Sequence, residues 1–250
     1  MTEHIKIERR GPVQIIRLAR PEKKNALTRA MYVAMTEALK AGDADPAVRC
    51  HVFLGVPGAF SAGNDLADFL AFATGGKHGN EAFDFLEALA RSQKPMVSGV
   101  DGIAVGIGTT MHLHCDLTFA TPRTVFHTPF IDLGITPEGG SSLIAPLLMG
   151  RQQAFALLGL CEPFSAERAK ACGLIYETVG EDDLEKAVFA AAERIAAKPP
   201  EALKIARDLM LGSREPLLAR IAEESELFRQ RLKSEEARAA LTAFMNRKKG

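Results

Sequence analysis

Residues 95–120 read PMVSGVDGIAVGIGTTMHLHCDLTFA. The opening six are short and apolar, as in a strand covered on both faces. Glycines at 106 and 108 then crowd a turn, and the middle of the stretch is expected to be helical. The pattern is strand, tight turn, helix. A second place repeats it: VRCHVFLGV at 48–56 reads as a buried strand and leads into PGAFSAGNDL at 57–66. In both loops the small residues let a ligand approach main-chain N–H groups, and a following helix adds partial positive charge. Two such N–H groups converging on one point would form an oxyanion hole. Two ordinary tight turns would look the same.

Working outward, HIKIERRGPVQIIRLAR (4–20) gives two β-rich runs around Arg10-Gly11-Pro12, a hairpin signal. NALTRAMYVAMTEALKAGDAD (25–45) has apolar residues at helical spacing. Two strands are expected on either side of Arg123, then a loop over 127–142, then a helix over 151–160. Ser165 and Gly173 bracket a helix as N-cap and stop. Lys198-Pro199-Pro200 marks a boundary, and the charged remainder is helical. The fold class is therefore α/β with a helical C-terminal subdomain, divided as 1–197 and 198–250. No internal repeat is visible.

Lys plus Arg and Asp plus Glu number 31 each. Zero formal charge argues against nucleic acid or an anionic membrane as the main partner. No tryptophan and only 2 tyrosines leave few platforms for stacking bases. No run reaches the length of a membrane span, no signal-peptide core opens the chain, and RKKG is not a peroxisomal address, so the expected location is cytoplasmic. Cys50, Cys115, Cys161 and Cys172 sit in apolar contexts without CxxC spacing and read as reduced core residues.

RPEKKNAL (20–27), FSAGNDLADF, DGIAVGIGTTMHLHCDLTFA and GRQQAFALLGLCEPFSAERAKACGLIYETV follow one another in the order and spacing of the crotonase superfamily, the enoyl-CoA hydratase/isomerase family. The resemblance covers nearly the whole chain. It implies a spiral of ββα units, a C-terminal subdomain that mediates trimerisation, a homotrimer or dimer of trimers, and acyl-CoA thioester substrates. Coenzyme A is then part of the substrate, and no separate cofactor is implied. The oxyanion donors match the N–H groups of Asn64 and Ile107. The CoA contacts match Lys23 and Lys24 for phosphates, Ala62, Asp65 and Leu66 in the nucleotide-facing loop, and Phe244 and Arg247 near the C-terminus. Each lysine alone also reads as a solvated surface charge.

Hydration in this family uses two glutamates around one water, and the matching positions hold Thr110 and Phe130. Neither takes a proton from water at neutral pH. Glu138, in HTPFIDLGITPEGGSS (127–142), stands where some isomerases of the superfamily keep a single acid, so the segment looks most like the Δ3,Δ2-enoyl-CoA isomerases. The implied activity is 3-enoyl-CoA to 2-enoyl-CoA isomerisation by a 1,3-proton shift on one carboxylate. The alternatives are 2-enoyl-CoA hydration or another acyl-CoA reaction on this scaffold, and a non-catalytic acyl-CoA-binding member. Glu138 could instead cap the following helix or pair with an arginine such as Arg151.

Other polar residues argue for less. His112 and His114, two apart on a helix, face different directions, and no metal site is expected. Gly106-x-Gly108 lacks the third glycine of a dinucleotide fingerprint. Ser61 sits in no nucleophile elbow. His127 reads as a packed residue at a strand end. The segment 66–89, glycine-interrupted, is expected to cover the acyl site.

Overall fold

The computed structural model describes residues 2–65 and 79–247, the last four of these as backbone only. The hairpin is present: β1 (Ile5–Arg10) runs antiparallel to β2 (Val13–Leu18), with Arg10 opposite Val13 and only Gly11-Pro12 between them. Gly11 takes φ +56°, a conformation that costs glycine little. β1 forms an exposed edge, whereas β2 is buried at five of its six positions. That difference follows from place: β2 also pairs in parallel with β3 (Cys50–Leu54).

From β3 to β8, strands alternate between two sheets. β3, β5 (Met96–Val100), β7 (Leu117–Ala120) and β10 (Glu177–Thr178) continue the sheet of β1 and β2 in the order β1-β2-β3-β5-β7-β10. β4 (Ala59–Ser61), β6 (Ile103–Val105), β8 (Val125–His127) and β9 (Phe164–Ser165) make the second sheet. Every pairing between β2 and β10 in the first sheet is parallel. β3 and β5 are buried throughout, which accounts for their unbroken apolar character. Strand β6 is an addition to the sequence reading, which ran from β5 directly to a helix. Three residues between glycines carry too little alternation to register as a strand.

Helix α1 (Arg29–Ala44) starts at Thr28, whose side chain accepts from the Met31 N–H. Its Met31, Tyr32, Met35 and Leu39 recur at helical spacing and enter the main core with Phe53, Phe60 and Phe85. Phe85 belongs to α2 (Glu81–Arg91). α3 (Ile107–Thr110) is one turn long and continues as a tight 3-10 turn to His114. α4 (Ser141–Leu158) begins ten residues before the expected helix. Pro146 and a break at Gly150 (φ 75°, ψ 157°) divide it, and those two residues disguise its first half in the sequence.

α5 (Ala166–Ala171) is capped by Ser165, which accepts from the Arg168 N–H, as expected. α6 (Leu184–Ala196) covers the outer face of the first sheet, where Val188 meets Val52 and Val97 in a second apolar cluster. The helix ends before 197–199, and Pro200 opens α7 (Pro200–Leu211), the position where a missing N–H costs nothing. α8 (Glu215–Leu232) and α9 (Glu235–Arg247) complete the helical C-terminal region. α8 lies against α2 and α4, so the last third of the chain folds back over the turn around Glu138. No helix of the described residues is long and apolar enough to cross a membrane.

Candidate active site

The two glycine-containing loops come together because neither tolerates a side chain. A Cβ on Gly63 would stand 2.8 Å from the Val105 carbonyl oxygen, and one on Gly108 would stand 2.9 Å from the Ser61 Cβ. Leu27 donates to the Gly63 carbonyl and accepts from the Asp65 N–H, a parallel bridge that turns the Asn64 N–H outward. Ile107 is the first residue of α3, where an N–H has no partner within the helix. The side chain of Asn64 is fixed separately: its oxygen accepts from the Tyr32 hydroxyl, which is itself 2 % exposed. Both predicted donors therefore sit on adjoining, tightly shaped main chain.

The loop RPEKKNAL is anchored by a residue that the sequence reading passed over. Lys24 and Asn25 both take left-handed backbone, φ 49° and φ 54°. Such residues cost on the order of 1 kcal/mol each and persist where surrounding bonds enforce them. The enforcing residue is Asn25, wholly buried. Its amide nitrogen donates to the carbonyls of Ala59 and Phe60, both at 3.0 Å, and its oxygen accepts from the Arg20 N–H at 2.7 Å. Asn tolerates this backbone and has the short polar arm to use it; that was the available signal. Ser61, also buried, donates to the Asn25 carbonyl at 2.9 Å and accepts from the Gly63 N–H at 3.1 Å, so it serves as scaffold.

A cavity of about 490 Å³ opens between these loops, with Lys23, Lys24, Ala62, Asn64 and Asp65 in its wall. Both lysines are exposed at its rim. Asp65 lines the cavity, but its carboxylate pairs with the Arg20 guanidinium at 2.7 Å. Further wall is supplied by Gly106, Phe130, Ile135 and Phe228 of α8. Phe130 is 5 % exposed and presents an apolar ring where a positioned water would need polar partners. Glu138 is not in this wall, although Ile135 and Gly106 are. Leu66 lies outside the described residues, as do most of the segment expected to cover the site and the side chains of Phe244 and Arg247.

Glu138 is 4 % exposed, next to two consecutive left-handed glycines, Gly139 (φ 75°) and Gly140 (φ 72°). A Cβ on Gly140 would come within 2.3 Å of a Leu217 methyl and one on Gly139 within 2.9 Å of a Leu86 methyl, so a side chain at either would also have to displace a leucine tip. The His114 Nε2–H donates to the Gly139 carbonyl at 2.7 Å and holds the turn against α3. The Glu138 carboxylate accepts from the Thr110 hydroxyl at 2.5 Å. Burial pushes its pKa up to about 8; the Thr110 bond pulls the other way, and the nearby Glu224 carboxylate pushes up again.

Neither alternative role for Glu138 is the one found. The amides at the start of α4 go to Glu224 of α8, which accepts from the Gly140 N–H at 2.6 Å and the Ser142 N–H at 3.0 Å. The partner of the Glu138 carboxyl among the described residues is Thr110, not Arg151. His112 and His114 point to different partners, Ser98 and Gly139, and burial lowers their pKa to about 3 and about 4, which keeps both neutral. Among the described residues no group of three or more His, Cys, Asp or Glu could hold a metal ion. His127 is half-buried at the end of β8, its carbonyl taken by the Gly106 N–H.

Two sheets of alternating strands, two glycine-shaped loops meeting over a cavity and a buried acid beside them define a crotonase-fold protein. Residues 8–250 match the family described as enoyl-CoA hydratase/isomerase, and the chain belongs to that family. It is 36 % identical to "Enoyl-CoA delta isomerase 2" of Rattus norvegicus over 95 % of its length, but spans only 62 % of that relative. It is 32 % identical to a Rhizobium meliloti (strain 1021) protein named "Probable enoyl-CoA hydratase", across 99 % of this chain and 96 % of the other. The solved structure of Pseudomonas aeruginosa OdaA superposes with a TM-score of 0.92 at 42 % identity, covering 98 % of this chain and 99 % of that one.

Proposed function

We propose that the protein isomerises 3-enoyl-CoA thioesters to their 2-enoyl isomers, with Glu138 as the one acid–base group. The observation that carries this reading is the pairing at the buried turn. The Glu138 carboxyl is buried and, among the described residues, is held by the Thr110 hydroxyl, while its carboxylate neighbour Glu224 is engaged by main-chain amides. The positions of the two hydratase acids hold Thr110, which serves Glu138, and Phe130, which is apolar. An isomerisation needs no water and no second acid.

In this reading the Glu138 carboxylate takes a proton from C2, and the electrons pass into a dienolate whose negative charge collects on the thioester oxygen. The N–H groups of Asn64 and Ile107 receive that oxygen. Donors of this kind lower such barriers by about 3 to 4 kcal/mol each, since they cost no reorganisation as the charge develops. The carboxylic acid then returns the same proton to C4, which moves the double bond into conjugation. Both carbons lie on one face of a flat intermediate, so one group reaches both. Desolvation raises the affinity of Glu138 for the proton and makes it a stronger base once ionised. Lys23 and Lys24, at the cavity rim, suit the phosphates of coenzyme A. Assembly as a trimer or a dimer of trimers is part of the proposal, supported by Leu209 and Met210 of α7, which stand 79 % and 78 % exposed.

The test is ultraviolet absorbance after addition of 3-enoyl-CoA, which rises as the double bond becomes conjugated. Glu138→Gln is expected to bind the thioester and lose turnover by roughly three orders of magnitude or more. Near wild-type turnover in that variant removes Glu138 from the mechanism. Hydration is the competing reading, favoured by the hydratase name of the Rhizobium relative. It would show instead as loss of conjugation from 2-enoyl-CoA.

A further inference from the structure

Two buried carboxyls stand at the start of α4, Glu138 from the preceding turn and Glu224 from α8. A helix N-terminus offers a small, countable set of donors. Here all can be followed. The Gly140 and Ser142 N–H groups go to Glu224, the Ser141 N–H goes to the main-chain carbonyl of Glu138, and the Leu143 N–H goes to the Gly140 carbonyl. Nothing from the helix start reaches the Glu138 carboxyl. We infer that Glu224 is a positioning residue for the base: it occupies the amides and the positive end of α4, and so leaves Glu138 a single hydroxyl donor.

Without Glu224 the nearest carboxyl to those amides is Glu138, two residues before the first of them. Helix amides stabilise a carboxylate and weaken it as a base. Glu224 prevents that in two ways, by using the donors and by placing a like charge nearby. Burial opposes its ionised form and raises its pKa above the usual carboxylate value, while the Ser142 and Gly140 donors and Arg220, one turn earlier on α8, pull the other way. The other ionisable groups around it are Glu138, the neutral His114 that holds the Gly139 carbonyl, and Glu223, which pairs with Arg220 at 3.1 Å. Arg220 also donates to the Ser142 hydroxyl at 3.0 Å and ties α8 to the same turn.

This inference rests on Glu138 being the base, and the experiment separates the two claims. The Glu138 carboxyl is titrated by carbon-13 NMR in the full chain, its signal assigned by disappearance in Glu138→Gln; no substrate is needed. Wild type should titrate at about 8. Glu224→Gln should lower that midpoint by about one pH unit, and the pH profile of kcat/KM should move with it. Glu224→Asp, which keeps the charge, should stay near wild type, and it also serves if the glutamine variant folds poorly. An unmoved midpoint in Glu224→Gln overturns the inference, even if kcat falls, because a purely structural role lowers kcat alone. A shifted midpoint in a protein without isomerase activity overturns the reaction and leaves the assignment of Glu224 standing.

Discussion

Among the described residues two turns use consecutive left-handed residues, and they spend their hydrogen bonds in opposite ways. At Lys24-Asn25 ordinary side chains are forced into that conformation, and Asn25 ties the turn by three hydrogen bonds to β4 and to the Arg20 main chain. At Gly139-Gly140 glycine removes the conformational cost, and the acid beside it receives one side-chain donor among the described residues. The first turn is satisfied to the point of rigidity. The second keeps a carboxyl undersatisfied in the dark of the core. A fold can thus make a rim rigid with polar contacts and make an acid reactive by withholding them.

Removing the polar anchor should give the larger loss of stability. Asn25→Ala is expected to cost about 3 kcal/mol, because it removes the amide's bonds to the Phe60 carbonyl and the Arg20 N–H, leaves the Ala59 carbonyl with the Val56 N–H alone, and puts an alanine at positive φ. Chemical denaturation measures it; a loss within the range of an exposed substitution would mean that water replaces the amide. The acid should show the reverse sign. The unfolded chain releases the Glu138 proton near the ordinary glutamate value of 4.5, whereas the folded chain keeps it to about 8. Stability from this group is therefore full below pH 4.5 and is lost as pH rises to about 8. Glu138→Gln lacks that loss. It should be more stable than wild type by a few kcal/mol at pH 8 and above, with the gap closing toward pH 4.5 in paired thermal melts.

Thr110→Val separates the two devices at smaller scale. It removes the one donor, so the Glu138 midpoint should rise by about one unit and kcat/KM at pH 7 should fall about tenfold. A pH profile that stays in place would give the 2.5 Å hydroxyl bond no part in tuning the acid. Smallest are the rim lysines. Lys23→Ala and Lys24→Ala should raise KM a few-fold each with kcat unchanged, and more at low salt than at high, since both are exposed and screened.

What the sequence made legible follows the range of each interaction. Buried strands β3 and β5, the hairpin and α1 declare themselves through contiguous residues, and so do the loops that supply Asn64 and Ile107. The repeated strand–strand–helix construction was invisible as a repeat, because each unit preserves its geometry with different side chains. Glu138 stood out by being alone among turn formers. Its partners did not. Thr110 looked like a lost acid, and its service to Glu138 depends on contact across 28 positions. Glu224 reads as one charge in a charged helix, and its bond to the Gly140 amide spans 84 positions. Asn25 was hidden by the lysines beside it, whose charge drew attention that belonged to the amide. The first half of α4 was concealed by Pro146 and Gly150, local signals that tertiary packing overrides.

The close approach of Gly63 to Val105 has a further consequence. The amides of Asn64 and Ile107 are set by main chain packed on main chain at Gly63 and Val105 and by the small Ser61 side chain at Gly108. Substitutions at 130 in the cavity wall, or at 110 and 138 in the buried pair beside it, can therefore change the chemistry while the frame that would grip a carbonyl oxygen stays where it is. Diversification here resembles changing the bit in a fixed chuck, and directed evolution on this chain should begin at those three positions.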